Sequence, residues 1–366
     1  MAKKTETLEH FPHGFLYSHA GKKYRTLLDD LWGIRNSSHR RYFQPSISTR
    51  VPLTSSLPFL NTDNTFKSTL IMSILNLTPD SFSDGSKHNV DDPEYLRTTI
   101  LNHLHSGATL IDLGAQSSRP GAKDISANEE IARLEPVLQV LAELRKDPST
   151  PPFAVSVDTY RAAVAEAAVT AGADIVNDIS AGLLDPDMLS TVARLGCTYI
   201  MMHMRGTPHT MTSKENTTYE RDLIQTITDE LIDRVEAAEA AGIRRWRMIL
   251  DPGIGFAKTA SQNLEILRRL KELTTSNPNV MYEKPGRMYR NLNGIPWLVG
   301  ASRKGFVGKI TGVKEPSERT WGTAATVTAA VAGGADIVRV HDVGEMTQVA
   351  RMSDAIYRSR SEEGKS

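Results

Sequence analysis

The chain has 366 residues, with 43 Lys+Arg against 43 Asp+Glu and so no net charge. That balance argues against a general nucleic-acid binder, and no apolar run reaches the ~18 residues of a membrane span. The length suits one large domain or two ordinary ones.

Residues 1–66 stand apart from the rest, with scattered aromatic and basic residues and Ser/Thr/Pro-rich pieces such as SISTRVPLTSSLPFLNTDNT. We read 1–43 as an extension with one short helix over 20–34, and 44–66 as a linker. Residues 67–366 make the main domain. MAKKTETLEHFPHGF has no apolar core of a secretory signal. Cys197 is the only cysteine, so a reducing, cytoplasmic compartment is expected. A transit peptide on a longer product would place it in the mitochondrion instead.

From residue 70 a rhythm sets in. Strand-like runs are LIMSILN (70–76), TLIDLG (109–114), FAVSVD (153–158), ADIVND (173–178), TYIMMH (198–203), RMILDP (247–252), PWLVGA (296–301) and ADIVRVH (335–341). They are short, rich in Val and Ile, and mostly continuous in apolar character, as parallel strands buried on both faces are. Amphipathic stretches alternate with them at about 91–106, 127–145, 160–170, 185–195, 217–241, 260–273, 318–332 and 344–359. HSGATLIDLG, TAGADIVNDIS, RLGCTYIMMH and AGGADIVRVHD share one form: a helix end, a Gly, then a strand. The pattern predicts the α/β class, a (β/α)8 TIM barrel with an N-terminal extension. A doubly wound sheet fits less well, because no GxGxxG follows the first strand.

In a barrel the chemistry gathers at the C-terminal strand ends. Those ends read Asn76, Asp112, Asp158, Asn177 with Asp178, His203, Asp251, Ser302 with Arg303 and Lys304, and Arg339 with His341. Any one carboxylate there could be a helix cap. The whole set reads better as a ring of acids, amides and bases at one mouth. Such a ring suits a planar heterocycle carrying N–H, amino and carbonyl groups. Arg339 and His341, two apart on one strand, share a face and could hold a phosphate group. SSRPGA (117–122) suits a mobile anion-handling loop. His203 and His209 lie six apart, which matches no standard zinc signature. Asn76 offers an amide oxygen of the kind Mg2+ shares with phosphates and water.

ILNLTPDSFSDG, IDLGAQSSRPGA, SVDTYRAAV, GADIVNDISA, DPGIGFAK, VGASRKGF and ADIVRVHDV, in that order, resemble the motifs of dihydropteroate synthase. The resemblance covers about residues 70–358, and its first two motifs are the most specific. The extension resembles a junction in the multifunctional folate-synthesis proteins of fungi, where the synthase is the last module. The family joins 6-hydroxymethyl-7,8-dihydropterin diphosphate to p-aminobenzoate and is the target of sulfonamides.

The resemblance implies a pterin pocket of Asp158, Asn177, Asp251 and Lys304, with Met202 beside it and Arg339 on the pterin face. It implies Asn76 on the diphosphate with Mg2+, helped by Arg339 and His341. The loop bearing Asp80, Ser81, Phe82, Ser83 and Asp84 should close over the site, with Asp84 near the arylamine. Ser118, Arg119, Pro120, Phe256 and Ser302 should line the p-aminobenzoate pocket. Ser118 stands where the family often has Thr, and SDGSKHN departs from the common loop. The segment 276–294 is expected to be a surface excursion. A homodimer through helices away from the mouth is expected, with upstream folate-pathway modules in a longer product. The competing readings are a pterin-dependent methyltransferase, which has no diphosphate to hold, and a non-catalytic pterin-binding barrel.

Overall fold

Burial on both faces forces the eight apolar runs into one parallel sheet that closes on itself. The strands are β1 (Leu70–Asn76), β2 (Leu110–Gly114), β3 (Ala154–Asp158), β4 (Ile175–Asp178), β5 (Thr198–Met202), β6 (Met248–Asp251), β7 (Leu298–Val299) and β8 (Ile337–Val340). The computed structural model describes residues 50–51, 60–61, 68–78, 92–117, 123–275 and 292–358. Neighbouring strands run in sequence order from β1 to β6, and β8 lies between β1 and β7. A parallel bridge from Leu250 to Trp297, just before β7, closes the ring. The expected barrel is therefore present.

The outer helices are α1 (Pro93–His105), α2 (Ala127–Leu144), α3 (Ala162–Thr170), α4 (Met188–Leu195), α5 (Leu223–Ala240), α6 (Ala260–Thr274), α7 (Thr320–Ala332) and α8 (Val343–Tyr357). Their starts follow local chemistry. Asp92 caps α1 ahead of Pro93, Ser126 caps α2, and Thr259 with Gln262 makes a reciprocal capping box on α6. The glycine of each repeat takes a positive φ between helix and strand, as at Gly107 (+107°), Gly172 (+109°), Gly196 (+65°) and Gly334 (+96°).

Three features differ from expectation. Residues 44–66, read as a linker, hold a two-residue antiparallel ladder of Arg50–Val51 with Leu60–Asn61. The predicted start of α5 at 217 falls instead on a separate turn of helix, Lys214–Thr217, capped by Ser213. After β7 an extra short helix, Gly305–Thr311, precedes α7. The expected extension (1–43) and nearly all of the 276–294 excursion lie outside the described residues.

The barrel is plugged by one side chain from every strand: Met72, Leu110, Ala154, Ile175, Ile200, Ile249, Leu298 and Ile337. All are buried, and together they seal the interior well below the mouth. The alternate residues face the helices. Ile71, Leu75, Ile111, Leu113, Val155, Val157, Val176, Tyr199, Leu250, Val299 and Val338 join the larger core between sheet and helices. Fully burying each such side chain contributes roughly 1.5–3 kcal/mol. Among the described residues no helix is long and apolar enough to cross a membrane.

Candidate active site

Side chains alternate across a strand, so the residue two past each plug residue also faces inward. Two steps on from the plug stand Ile74, Asp112, Ser156, Asn177, Met202, Asp251, Gly300 and Arg339. Four steps on stand Asn76, Gly114, Asp158, Ser302 and His341. The plug is wholly apolar, and the next two layers carry most of the polar groups read from the strand ends.

Arg339 is the hub of these layers. Its Nε donates to Asp112 Oδ2 at 2.6 Å and its Nη2 to Asp158 Oδ2 at 2.8 Å. Asn177 Nδ2 reaches the Asp112 carboxylate at 3.3–3.4 Å. Burial raises the pKa of Asp158, and the Arg339 charge opposes that rise. Asp251 accepts from the Gly253 N–H at 2.7 Å; burial raises its pKa and Lys304 pulls the other way. Burial holds Lys304 down to about 8. Its Nζ donates to the Ile254 carbonyl and lies 4.6 Å from the Phe256 ring centre. On the opposite wall a Cβ on Gly114 would lie 3.2 Å from Asn76 Oδ1 and 4.0 Å from Asp158 Oδ2. Glycine at 114 therefore leaves the Asn76 amide room at the rim. Ser302 Oγ accepts from the His341 N–H at 3.2 Å and lies 3.0 Å from its Nδ1.

Asp158, Asn177, Asp251, Lys304, Arg339, Asn76, Met202, Ser302, His341 and Phe256 thus belong to the inner face of one mouth or the loops bordering it. Asp80, Ser81, Phe82, Ser83, Asp84, Ser118, Arg119 and Pro120 lie outside the described residues. Three strand-end residues leave the ring. Asp178 has outward parity, and its carboxylate accepts from Ser180 N and Oγ, Gly182 N and Tyr199 Oη at 2.7–2.8 Å. Arg303 turns to an ion pair with Asp342. His203 packs its ring between Lys258 and Glu230. His209 lies elsewhere, exposed and 3.1 Å from Asp124.

Sequence reasoning placed Asp112 at the mouth but gave it no role, although it contacts both Arg339 and Asn177. It missed Lys258, a buried lysine seven residues beyond Asp251 in DPGIGFAK. No periodicity marks a loop residue, so its partners became visible only in three dimensions. The mouth as a whole offers carboxylate acceptors, two amides and two cations. It can hold a flat, hydrogen-bonding ring with an anionic arm.

A sequence profile of the pterin binding enzyme family matches residues 72–341. The folic acid synthesis protein fol1 of Pneumocystis carinii is 46% identical over 310 residues, which cover 82% of this chain and 39% of that protein. The chain thus spans well under two thirds of that relative's length. The dihydropteroate synthase of Synechocystis is 44% identical over 80% of this chain and 91% of its own. The crystal structure of Xanthomonas albilineans dihydropteroate synthase with 4-aminobenzoic acid superposes with a TM-score of 0.69. It is 32% identical and matched over 86% of this chain and 100% of that one.

Proposed function

We propose, for a chain that belongs to the pterin-binding enzymes and among them to the dihydropteroate synthases, that it joins 6-hydroxymethyl-7,8-dihydropterin diphosphate to p-aminobenzoate and releases pyrophosphate. The observation that carries this reading is the inward alternation above the apolar plug. It brings Asp112, Asp158, Asn177, Asp251 and Arg339 onto one surface.

In this reading Asp112, Asp158 and Asp251 accept from the ring N–H and amino groups of the pterin, and Asn177 serves it both ways. Lys304 donates to the ring carbonyl or nitrogen, and Met202 forms a wall. Pterin entry exchanges the Arg339 donors on Asp112 and Asp158 for those of the heterocycle. The freed guanidinium then lies on the pterin face. Asn76 and His341 take the diphosphate end. Phe256, Ser302 and the loop bearing Ser118, Arg119 and Pro120 hold the arylamine.

The reaction breaks the bond between the pterin methylene and the diphosphate oxygen, and the electron pair leaves with pyrophosphate. The methylene cation is delocalised into the pterin, and in this reading the Asp84 carboxylate stabilises it. The neutral arylamine nitrogen attacks, forms the new C–N bond and loses a proton. An arylamine is nucleophilic without a strong base, so the chain's task is positioning and charge stabilisation.

The donor set fits Mg2+ in a sparse way. Asn76, whose amide oxygen faces the open space that Gly114 leaves, would hold the ion, and no group of three His, Cys, Asp or Glu stands together among the described residues. Mg2+ tolerates that, because it keeps waters and takes substrate phosphates as ligands. When bound it would neutralise charge on the departing diphosphate.

We also infer a homodimer, supported by the exposed Trp321 on α7 and Met352, Ile356 and Tyr357 on α8. The sequence relationship to fol1 supports a place as the last module of a multifunctional folate-synthesis protein, residues 67–366 being the synthase barrel. The compartment follows that of the longer product, cytoplasmic or mitochondrial.

The test is pyrophosphate release from the purified chain with pterin diphosphate and Mg2+, with and without p-aminobenzoate. The expected result is release that needs the arylamine and stops with a sulfonamide. Tight pterin binding that is independent of Mg2+ and gives no release would favour a methyltransferase-like or inert binder instead.

A further inference from the structure

The β6–α6 loop, residues 252–259, carries Phe256 to the mouth in an unusual way. Gly253 has φ +70°, and a Cβ there would sit 2.0 Å from the His203 carbonyl oxygen. Ala257 takes φ +50°, in the left-handed region that disfavours a side chain. Such a loop needs fixing, and five side chains supply it, Lys258 from the loop itself and four from outside.

Lys258 Nζ, buried, donates to the Phe256 carbonyl at 3.0 Å and to His203 Nδ1 at 2.9 Å. With Nδ1 accepting, the proton of the neutral imidazole lies on Nε2. Nε2 then donates to Glu230 at 2.8 Å. Burial, joined by the Lys258 charge, holds His203 down to about 4, in keeping with that neutral ring. Glu230 in turn accepts from Arg205 Nε at 3.0–3.1 Å. The Arg205 guanidinium lies 4.1 Å from the Tyr219 ring centre, and Tyr219 Oη donates to the Ala257 carbonyl at 3.1 Å. The circuit leaves the loop at Lys258 and returns to it one residue away. Between its two anchors sits the peptide that follows Phe256, a residue packed against the buried cluster of Ile179, Met202, Met204, Met211 and Ala257.

We propose that the Lys258–His203–Glu230–Arg205–Tyr219 circuit is the positioning device that holds the Phe256 ring against the arylamine. It thereby sets affinity for the second substrate rather than for the pterin. This rests on the reading that Phe256 borders the arylamine pocket. None of the five residues is assigned a contact with either substrate, so each acts through the loop.

The test uses Lys258→Met and Tyr219→Phe, each alone and combined with Phe256→Ala, in the full chain. Tyr219→Phe removes one oxygen and is the safeguard if Lys258→Met does not fold. The expected result is a rise in KM for p-aminobenzoate of about tenfold for Lys258→Met and about threefold for Tyr219→Phe, the scale of one charged and one neutral hydrogen bond. The dissociation constant for pterin diphosphate should change by a smaller factor in both. In the Phe256→Ala background each change should add less than about twofold, because residues acting through one ring are not additive. The same factor in both backgrounds, or equal losses for the two substrates, would overturn the proposal. Backbone amide exchange separates it from the functional reading. If the parent chain shows no arylamine-dependent release, that reading falls. Faster exchange over residues 253–258 in the variants still supports the circuit, and unchanged exchange rejects it.

Discussion

The guanidinium of Arg339, on β8, donates at 2.6 Å to Asp112, two strands away on β2 and 227 residues distant in sequence. The same group holds Asp158 at 2.8 Å, so one cation serves two carboxylates that the pterin reading also requires.

Removing that cation should cost more than activity. Arg339→Met leaves the Asp112 and Asp158 carboxylates uncompensated in a buried setting, a loss of about 3–5 kcal/mol when one partner of a buried pair is deleted. Thermal unfolding of the variant should show a midpoint several degrees lower, with arylamine-dependent pyrophosphate release abolished. A midpoint equal to that of the parent chain would mean that the pair contributes little to the fold.

Asp251 should matter to the pterin and little to the arylamine. Asp251→Ala removes a carboxylate acceptor and should weaken pterin diphosphate binding by about 1.5–3 kcal/mol, or tenfold and more. Titration calorimetry with pterin diphosphate checks this directly. Near-parental affinity would remove Asp251 from the pocket.

Gly253 is the most constrained position of the β6–α6 loop. Gly253→Ala places a Cβ 2.0 Å from the His203 carbonyl in a backbone region unfavourable to side chains. The loop must move, at a cost of about 1–3 kcal/mol, and it carries Phe256 and Lys258 with it. A lowered unfolding midpoint together with a raised KM for p-aminobenzoate is expected. A variant with parental values of both would show that the loop adapts freely.

The pH dependence of stability has a definite sign. Burial lowers Lys258 to about 7, with the Asp251 charge opposing, whereas an unfolded lysine titrates near ~10.4. Between those values the unfolded chain binds the additional proton. The Lys258 contribution to stability therefore rises with pH across that window, by at most about 1.4 kcal/mol per unit. His203 acts in the same sense lower down: from an unfolded ~6.5 through its folded value of about 4, stability is lost as pH falls. Unfolding midpoints of the parent and Lys258→Met should diverge in favour of the parent from about pH 7 to about pH 9. Parallel curves would count against a depressed lysine.

The oligomer prediction concerns α7. Trp321 on α7 is 87% exposed, and Met352, Ile356 and Tyr357 on α8 are exposed as well. On the proposed homodimer, Trp321→Glu should shift sedimentation toward monomer while leaving pterin affinity intact. A dimer that survives the change would assign contact to α8 or elsewhere.

The strand runs were legible because burial on both faces leaves an unbroken apolar stretch, and the repeated Gly marked where each strand begins. All of β1 and the start of α2 fall where the sequence put them. Asp178 shows the limit of that reading. One residue beyond Asn177, it has the same chemistry in the sequence but the opposite face, where Tyr199, Ser180 and Gly182 consume its oxygens. Strand-end position identified candidates, and parity against the plug layer sorted them.

What the sequence by itself determined is everything with a period: eight strands, their helices, and the row of polar residues at the strand ends. Tertiary structure alone decided the pairings with no period. Arg339 meets Asp112 because closure of the sheet sets β8 beside β1 and next but one to β2. Lys258 meets His203 because a loop with three left-handed residues, Gly253, Gly255 and Ala257, folds back over the end of β5. Contacts of that kind depend on ring closure and loop path. These arise from the packing of the whole chain and leave no local signature in the residues that make them.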